Sequence, residues 1–569
     1  MSTEVTGHLL NLPRPQPRTR TDPPSTPPRR RALALAALSG LLLVGAFPHL
    51  DWGGLAWVAL VPFLSTFPHR RMRDALWGGA VLGLVFFGGL WYWMAVFAGH
   101  VIGRLLGLVV WVGASLAQTV TVGVFALGAE ALSRRPGVWA WRLGVPALWT
   151  VGEWARQFGP LGTGWGDLAY TQHAALLPLQ MTKLSGVFGL SFVILLVNVA
   201  LTPPPPPILG EAPSERLRPD KARRGPGDYL GVRFPLGVAG LVLAVLLYGA
   251  VTLRTERLRP TFAAAALQIG IDENVPWKGT RPADPVYTRR VMDAYAAQAQ
   301  AAAARGARLV VWPETAFPGY LRADAELRAE AAAMATRNNQ ATLIGGVDYD
   351  FASRKAANTL FLLDAGGNLR GEYQKQRLVP FGEYVPYRRW LPFLDALHLS
   401  IYDMEPGGAR QPVLDAGPPV GKIGAAICYD STDGEIVRRQ VARGAGLLVV
   451  TTDDAWFGRT AAARQHTACA AVRAAEDDRY LVRCAATGIS QVIAPTGRVI
   501  AEGGLFTQKL VLAPVQPRRN LTLYARWGDW FVALCALALV FFLLPRPQCR
   551  GGRFSKYARL AGSARSWGR

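Results

Sequence analysis

Long apolar runs alternating with short basic clusters limit what this chain can fold into more than any other feature. Apolar stretches lie at about 32–49, 54–68, 75–98, 105–131, 138–155, 180–201, 233–253 and 527–545. A helix needs roughly 20 apolar residues to cross a bilayer, so the pattern predicts eight crossings, the second and fifth short or interrupted by Trp, Gly and Pro. Basic clusters at residues 29–31, 70–73, 134–142, 216–224 and from Arg546 onward all fall on one side, while the loops at 50–53, 99–104 and 156–179 carry few cations. The positive-inside rule then places both termini in the cytoplasm and residues 254–526 outside. Lys and Arg exceed Asp and Glu by 62 to 39. Because these cations sit between apolar runs, the excess reads as membrane topology and not as a nucleic-acid face.

The remaining segments follow from composition. Residues 1–31, rich in Pro, Arg and Thr, are expected to be a disordered cytoplasmic tail, and residues 546–569 a basic one. A Pro-rich cytoplasmic linker is expected at 202–232, inside a seven-helix block at 32–253, and residues 527–545 form the last crossing. The Gly-rich loop 160–175, with Trp165 and Tyr170, either anchors the membrane interface or shapes the mouth of a lipid cleft. Five cysteines, with no CxxC or paired Cys/His spacing, make neither a disulfide framework nor a zinc site, and no metal or other cofactor is expected.

Residues 260–515 have a different rhythm. Short apolar runs such as FAAAALQIG, ARLVVWPE, ATLIGGV, NTLFLLD, GKIGAAICYD and GLLVVTTDD alternate with Ala-rich helical stretches at 288–305 and 325–339. Strands apolar throughout belong to sheets covered on both faces, and the alternation predicts an α/β domain.

Three strand ends in this domain carry reactive groups. VVWPETAFPG places Glu314 just past a strand, EYQKQRLVPFGEYVP carries Lys375 and Glu383, and AAICYD carries Cys428. Taken singly they are ordinary: a buried cysteine is usually a small hydrophobe, and a lone Lys or Glu beside a turn is usually solvated. Together they specify one chemistry. A thiol nucleophile needs a carboxylate to take its proton, and attack on an acyl carbon creates an oxyanion that a fixed ammonium stabilises.

WPETAFP, YQKQRLVPFGEYVP and ICYD resemble the Glu, Lys and Cys boxes of the nitrilase, or carbon–nitrogen hydrolase, superfamily. LVPFGEYVP, DDAWFG followed by RQH, FPHLDWGGLAWVALVPFL, PALWTVGEWAR with GTGWGDLAYTQ, and YARWGDWF resemble one branch, the apolipoprotein N-acyltransferases, over about residues 40–545. The resemblance implies an extracytoplasmic nitrilase-like αββα sandwich on an all-α membrane domain of about eight helices, in the bacterial cytoplasmic (inner) membrane. It also implies an acyl donor from membrane phospholipid and a diacylglyceryl apolipoprotein as acceptor, with a thioester on Cys428 between them. By position Glu314 is the general base, Lys375 the oxyanion-stabilising cation and Cys428 the nucleophile, with Glu383, Tyr429, Asp430 and Trp277 supporting the site. The chain departs from the family where Asp430 stands for a usual Glu, Asp453 and Ala486 stand for usual Asn residues, and LQIGI replaces VQGNI. Two other readings of the same residues are a membrane-tethered amidase, with water as acceptor, and a transporter or scaffold with a vestigial outer domain. The second would need ionisable residues within the spans, for which Glu130 and Glu153 are the candidates.

Overall fold

In the computed structural model, residues 28–205, 226–271, 284–390 and 404–544 are described, apart from residues 70, 136 and 389. Trp277, the linker core at 206–225 and both tails lie outside them.

The apolar runs form a helical bundle. Its helices are α1 (Arg29–Ala46), α2 (Val61–Leu64), α3 (Met72–Leu90), α4 (Trp93–Ile102), α5 (Arg104–Ser133), α6 (Val138–Ala155), α7 (Leu176–Leu179), α8 (Thr182–Ala200) and α9 (Pro226–Thr255). After the α/β domain come α14 (Leu523–Trp527) and α15 (Trp530–Leu543). Among the described residues Met72–Leu90, Arg104–Ser133, Thr182–Ala200 and Arg233–Thr255 are long and apolar enough to cross a membrane.

Two expected crossings are broken. The run at 75–98 ends its helix at Leu90 and restarts at Trp93 as α4, which packs along α5. The run at 54–68 holds only a 3₁₀ turn (Gly53–Trp57) and the single turn of α2. Its chain nevertheless passes from one end of the bundle to the other. The Pro48 carbonyl accepts from Gln465 of the α/β domain, and His69 lies against Glu130 near the far end of α5. Irregular backbone at such depth must find partners within the protein. Asn198 supplies two, its Oδ1 accepting from Leu60 N at 2.8 Å and its Nδ2 donating to Ala56 O at 2.9 Å, and the Ser39 hydroxyl accepts from Phe63 N at 3.0 Å.

Glu130 and Glu153 are likewise absorbed by structure. Glu130 accepts from His69 N at 2.8 Å and Arg134 Nε at 2.7 Å, and Glu153 accepts from Trp149 Nε1 and Leu168 N, both at 2.8 Å.

The α/β domain is two six-stranded sheets face to face. Strands β1 (Phe262–Gln268), β2 (Ala307–Val311), β3 (Ala341–Asp350), β4 (Lys355–Leu363) and β5 (Leu369–Gln374) belong to one sheet. Strands β6 (Leu414–Asp415), β7 (Lys422–Ile427), β8 (Leu447–Thr452), β9 (Leu481–Ala485), β10 (Gln491–Ile493) and β11 (Val499–Glu502) form the other, and β12 (Lys509–Val515) returns to the first. The orders are β12-β1-β2-β3-β4-β5 and β11-β10-β9-β8-β7-β6. In each sheet the three parallel strands, β1-β2-β3 and β7-β8-β9, are flanked by antiparallel ones. Apolar side chains from both sheets, among them Leu309, Leu343, Ile423, Val449 and Val482, fill the space between.

Helices α10 (Pro285–Ala303) and α11 (Ala325–Asn338) cover the outer face of the first sheet. Asp284 caps α10 by accepting from Val286 N at 3.0 Å, with Pro285 at the first helical position where its missing N–H costs nothing. Helices α12 (Gly434–Ala442) and α13 (Ala462–Glu476) cover the second sheet, completing an αββα sandwich. Helix α13 is shared with the bundle: Ala470, Ala471 and Ala474 pack on the sheet, while Ala462, Cys469, Val472 and Ala475 pack into the bundle core. The ion pair Lys183–Asp478 (2.5 Å) crosses the same junction, and Arg518 bridges Asp478 (2.5 Å) and Glu256 (2.6 Å) beside it. Where α8 approaches it, Gly186 adopts φ 64° and a Cβ there would lie 2.7 Å from the Tyr524 ring, so only glycine fits.

Candidate active site

The carboxyl ends of parallel strands are where an α/β sheet collects its reactive side chains. Here β2 leads to Glu314, β7 to Cys428 and β8 to Asp453, while Lys375 follows antiparallel β5. Glu314, Lys375 and Cys428, 5%, 1% and 7% exposed, face one cavity, where Glu383, Asn358, Tyr429 and Asp453 join them.

Each position has a local cause. The chain after β2 turns sharply past β3: a Cβ on Gly345 would lie 1.9 Å from the Pro313 carbonyl, and Phe317 N donates to Gly345 O at 2.9 Å. This close passage of two backbones brings Glu314 over the strand ends. Lys375 is held through its own backbone, its N–H donating to Asn358 O at 2.8 Å and its carbonyl accepting from Gly407 N at 2.7 Å. Cys428 sits at the junction of β7 and a 3₁₀ turn (Cys428–Thr432), at φ 49°. That left-handed conformation is uncommon for a residue with a Cβ and persists only where surroundings over-determine it.

Lys375 is the hub of the charges. Its Nζ lies 2.9 Å from Glu314 Oε1 and 2.7 Å from Glu383 Oε1. Asn358 Nδ2 donates to the same two oxygens at 2.7 and 3.3 Å. The other oxygens are satisfied by backbone, Glu314 Oε2 by Asp453 N and Glu383 Oε2 by Val379 N, both at 2.8 Å. Burial alone would depress the Lys375 ammonium, but the flanking Glu314 and Glu383 carboxylates hold it well above its usual value. Burial pushes the Cys428 thiol well above its ordinary range, the Glu314 charge adds to this, and Lys375 and the Thr452 hydroxyl act against both. Burial thus favours the neutral form of the thiol, while the neighbouring acidic side chains favour the charged form of the lysine.

Asp430 does not face the reacting groups. Fully buried, it accepts from Tyr373 OH at 2.9 Å, Arg377 N at 2.7 Å, Gln376 N at 3.1 Å and Ile427 N at 3.1 Å. It clamps the Cys428 turn to the segment after Lys375. Burial raises its carboxyl to about 6, against the pull of those donors. Tyr429 lines the cavity and donates its hydroxyl to Gly162 O at 3.2 Å, with the Arg377 guanidinium 5.6 Å from its ring.

Residues 162–172 of the loop are buried, so Trp165 and Tyr170 are not interface anchors. Trp165 lines the cavity, and Tyr170 accepts from Arg473 Nη2 at 3.0 Å beneath the α/β domain. The loop is held against the site by Arg377, which donates to the Gln157 carbonyl and to Gly162 O at 2.7 Å, and by Tyr384 OH, which donates to Pro160 O at 2.8 Å. Cys469 and Cys484 are buried packing residues: burial pushes the Cys469 thiol up to about 12, and Cys484 Sγ donates to Val311 O at 3.0 Å. Trp277 lies outside the described residues. Trp390 is 80% exposed, and residues 391–403 also lie outside them.

Asn358 escaped the sequence reading because its neighbours, NTLFLLD, read only as a strand. Its role depends on Glu314, 44 residues earlier, and Glu383, 25 residues later. The cavity itself was also out of reach. About 580 Å³ in volume, it runs from Cys428 and Lys375 past Trp165 into the bundle. There its walls are Phe97 of α4 and Leu106, Val109, Val110, Gly113 and Ala117 of α5. The span from Leu106 to Ala117 is about 17 Å of helix.

A buried thiol, amine and carboxyl group on an αββα sandwich, in one cavity that opens into an apolar bundle, are the parts a membrane-bound acyl-transfer enzyme needs. The carbon-nitrogen hydrolase family matches residues 263–520, and the apolipoprotein N-acyltransferase N-terminal domain family matches residues 39–200. The apolipoprotein N-acyltransferase of Geobacter metallireducens is 32% identical over 521 residues, covering 89% of this chain and 93% of its own. That of Gloeobacter violaceus is 32% identical over 549 residues, covering 92% and 97%. Among solved structures, Saccharomyces cerevisiae Nit3, of the nitrilase superfamily, is similar at 20% identity over 46% of this chain and 93% of that one, with a TM-score of 0.35. The chain belongs to the apolipoprotein N-acyltransferase family.

Proposed function

We propose that the chain takes an acyl chain from a membrane phospholipid onto Cys428 and passes it to the α-amine of a diacylglyceryl-cysteine at a lipoprotein N-terminus. The observation that carries this reading is the cavity, which joins the Cys428 thiol to an apolar slot lined by α4 and α5. A water-soluble amide would need no such slot. Both proposed substrates are acylated, and withdrawing them from the bilayer costs about 0.8 kcal/mol per CH₂.

In the first half-reaction Glu314 accepts the Sγ proton as sulfur attacks the donor ester carbonyl, and the C–S bond forms. Lys375 stabilises the oxyanion. The intermediate collapses with cleavage of the ester C–O bond, and the proton moves from Glu314 to the departing lysophospholipid oxygen. In the second half the α-amine attacks the thioester carbonyl and Glu314 takes an amine proton. The C–N bond forms, the C–S bond breaks, and the proton returns to sulfur. Glu383 and Asn358 hold the ammonium and the base in register. The buried residues 162–172 cover the thioester against water between the halves.

The test is single-turnover discharge of purified enzyme loaded with phospholipid. An S-diacylglyceryl-cysteine peptide with a free α-amine should remove the acyl group and become N-acylated, while the N-acetylated peptide should leave it in place. Release of free fatty acid at a rate neither peptide alters would replace this reading with a tethered hydrolase.

The bacterial cytoplasmic membrane is the proposed location, with the α/β domain outside. Supporting this side, the far end of the bundle carries the basic clusters around Arg31, Arg71 and Arg134. Reporters fused after residue 215, after residue 300 and at the C-terminus should give cytoplasmic, external and cytoplasmic signals. A cytoplasmic signal at residue 300 would reverse the orientation.

A further inference from the structure

Two consecutive side chains at the start of α13, Gln465 and His466, stand between the membrane bundle and the nucleophile without any part in the chemistry above. We propose that His466 is a positioning residue for Cys428, acting through the cysteine's backbone carbonyl, and that Gln465 fastens it to the bundle. The inference rests on Cys428 being the nucleophile.

His466 is fully buried. Its Nε2 lies 3.1 Å from the Cys428 carbonyl oxygen and 2.9 Å from Ser431 Oγ, while the Ser431 hydroxyl donates to that same carbonyl at 2.7 Å. A carbonyl oxygen only accepts, so the proposal assigns the tautomer with its hydrogen on Nε2, which donates to Cys428 and leaves Nδ1 to accept from Arg483. Behind the ring, Nδ1 lies 3.2 Å from Asp454 Oδ1 and 3.0 Å from Arg483 Nη2. Asp454 is itself held, by Arg483 Nη2 at 2.8 Å and by the Thr452 hydroxyl at 2.9 Å. The Trp165 ring packs over the imidazole at a centroid distance of 5.5 Å. With both nitrogens and one face engaged, the ring cannot turn.

The consequence falls on Cys428, whose φ of 49° aims its side chain off the strand end toward Glu314 and Lys375. An L-residue relaxes out of that region unless its flanking groups are held. The Cys428 carbonyl is one such group, and His466 and Ser431 both hold it.

Gln465 faces the other way. Its Oε1 accepts from Trp93 Nε1 at 3.1 Å and Trp165 Nε1 at 2.9 Å, and its Nε2 donates to Pro48 O at 2.8 Å and Leu90 O at 3.2 Å. Trp93 and Trp165 both line the acyl cavity. The cavity wall and the nucleophile's carbonyl are thus joined through adjacent residues of one helix, which fixes the thiol relative to the slot its substrate enters.

The test compares His466→Gln with His466→Asn in the full-length enzyme in phospholipid nanodiscs. Both keep a polar side chain, but only Gln has the reach to carry an N–H to the Cys428 carbonyl. Turnover, KM for phospholipid and peptide, Cys428 alkylation by iodoacetamide across pH, and melting temperature are measured together. His466→Asn should lose about a hundredfold in kcat, with KM within about twofold and a shifted alkylation profile, as a misplacement on the ångström scale does. His466→Gln should keep kcat within about tenfold of the parent, at a melting temperature equal to that of the Asn variant. Retention of full kcat by both variants, or equal loss in both expressed in KM, overturns the proposal. If His466→Asn does not accumulate, Gln465→Ala replaces it: lower kcat with an altered alkylation profile supports the proposal, and an unchanged profile overturns it. Activity surviving in Cys428→Ala would instead overturn the nucleophile assignment on which the inference rests.

Discussion

Replacing Cys428 with alanine is expected to abolish both the acyl-enzyme and the N-acylated product. Deleting an activated nucleophile removes roughly 10⁶ in kcat where nucleophile and base work as a unit. Mass spectrometry of the protein after incubation with phospholipid reads the result directly: the parent should gain one acyl mass on the peptide containing Cys428, and the alanine variant none. Cys469→Ala and Cys484→Ala should retain acylation, because both thiols are buried in packing away from the cavity. An acyl mass persisting in Cys428→Ala, or appearing on another cysteine, would remove Cys428 from the reaction. The fold should survive the substitution, since the Asp430 clamp and the Ser431 bond hold the turn through other atoms.

Lys375→Met should lower activity less than Cys428→Ala does and be far more damaging to stability. In activity it removes the cation placed for the oxyanion, and loss of one such group costs roughly 10²–10³ in kcat. In stability it leaves Glu314 and Glu383, both anchored to the ammonium and to Asn358, without the charge between them. Removing one partner from a buried ion pair costs about 3–5 kcal/mol, because an uncompensated charge remains. The double variant Lys375→Met, Glu383→Gln should recover a substantial part of the melting temperature and none of the activity. That separation distinguishes the charge balance from the chemistry. Stability unchanged in Lys375→Met would mean that the two carboxyls take up protons at little cost.

How much of this was legible in the residues varies by element. Helices α1, α3, α5, α8, α9 and α15 follow from runs of apolar side chains, because hydropathy is a sum over neighbours and needs no partner. Strands β1, β2, β3, β4, β7 and β8, and helices α10 and α11, follow for the same reason: a run that is apolar throughout, or an Ala-rich run between strands, carries its burial in its own composition. β5, with its polar LRGEYQ, and the short β6 and β10 do not, since an edge or a brief strand is defined by the ladder it joins. The candidate residues Glu314, Lys375 and Cys428 stood out in the sequence because each lies at or just past a strand end in a distinctive local motif.

What only the tertiary structure decided is whatever depends on partners far apart in the chain. The second crossing reads as a short helix, yet it is a broken segment whose open amides are satisfied by Asn198 and Ser39, contributed by other helices. Asp430, read as a neighbour of the site, became its clamp because Tyr373, Gln376 and Arg377 come to it from more than 50 residues away. Asn358 lies in a strand like any other until folding sets Glu314 and Glu383 on either side of its amide. RQH named a motif but not an act; only α13 lying between sheet and bundle turns Gln465 toward two indoles and His466 toward a carbonyl. The sequence by itself determined which segments are apolar and which groups are reactive, because those are properties of single side chains and their immediate neighbours. Distances of 2.7 to 3.3 Å between groups dozens to hundreds of residues apart exist only once the sheets, their helices and the bundle have packed.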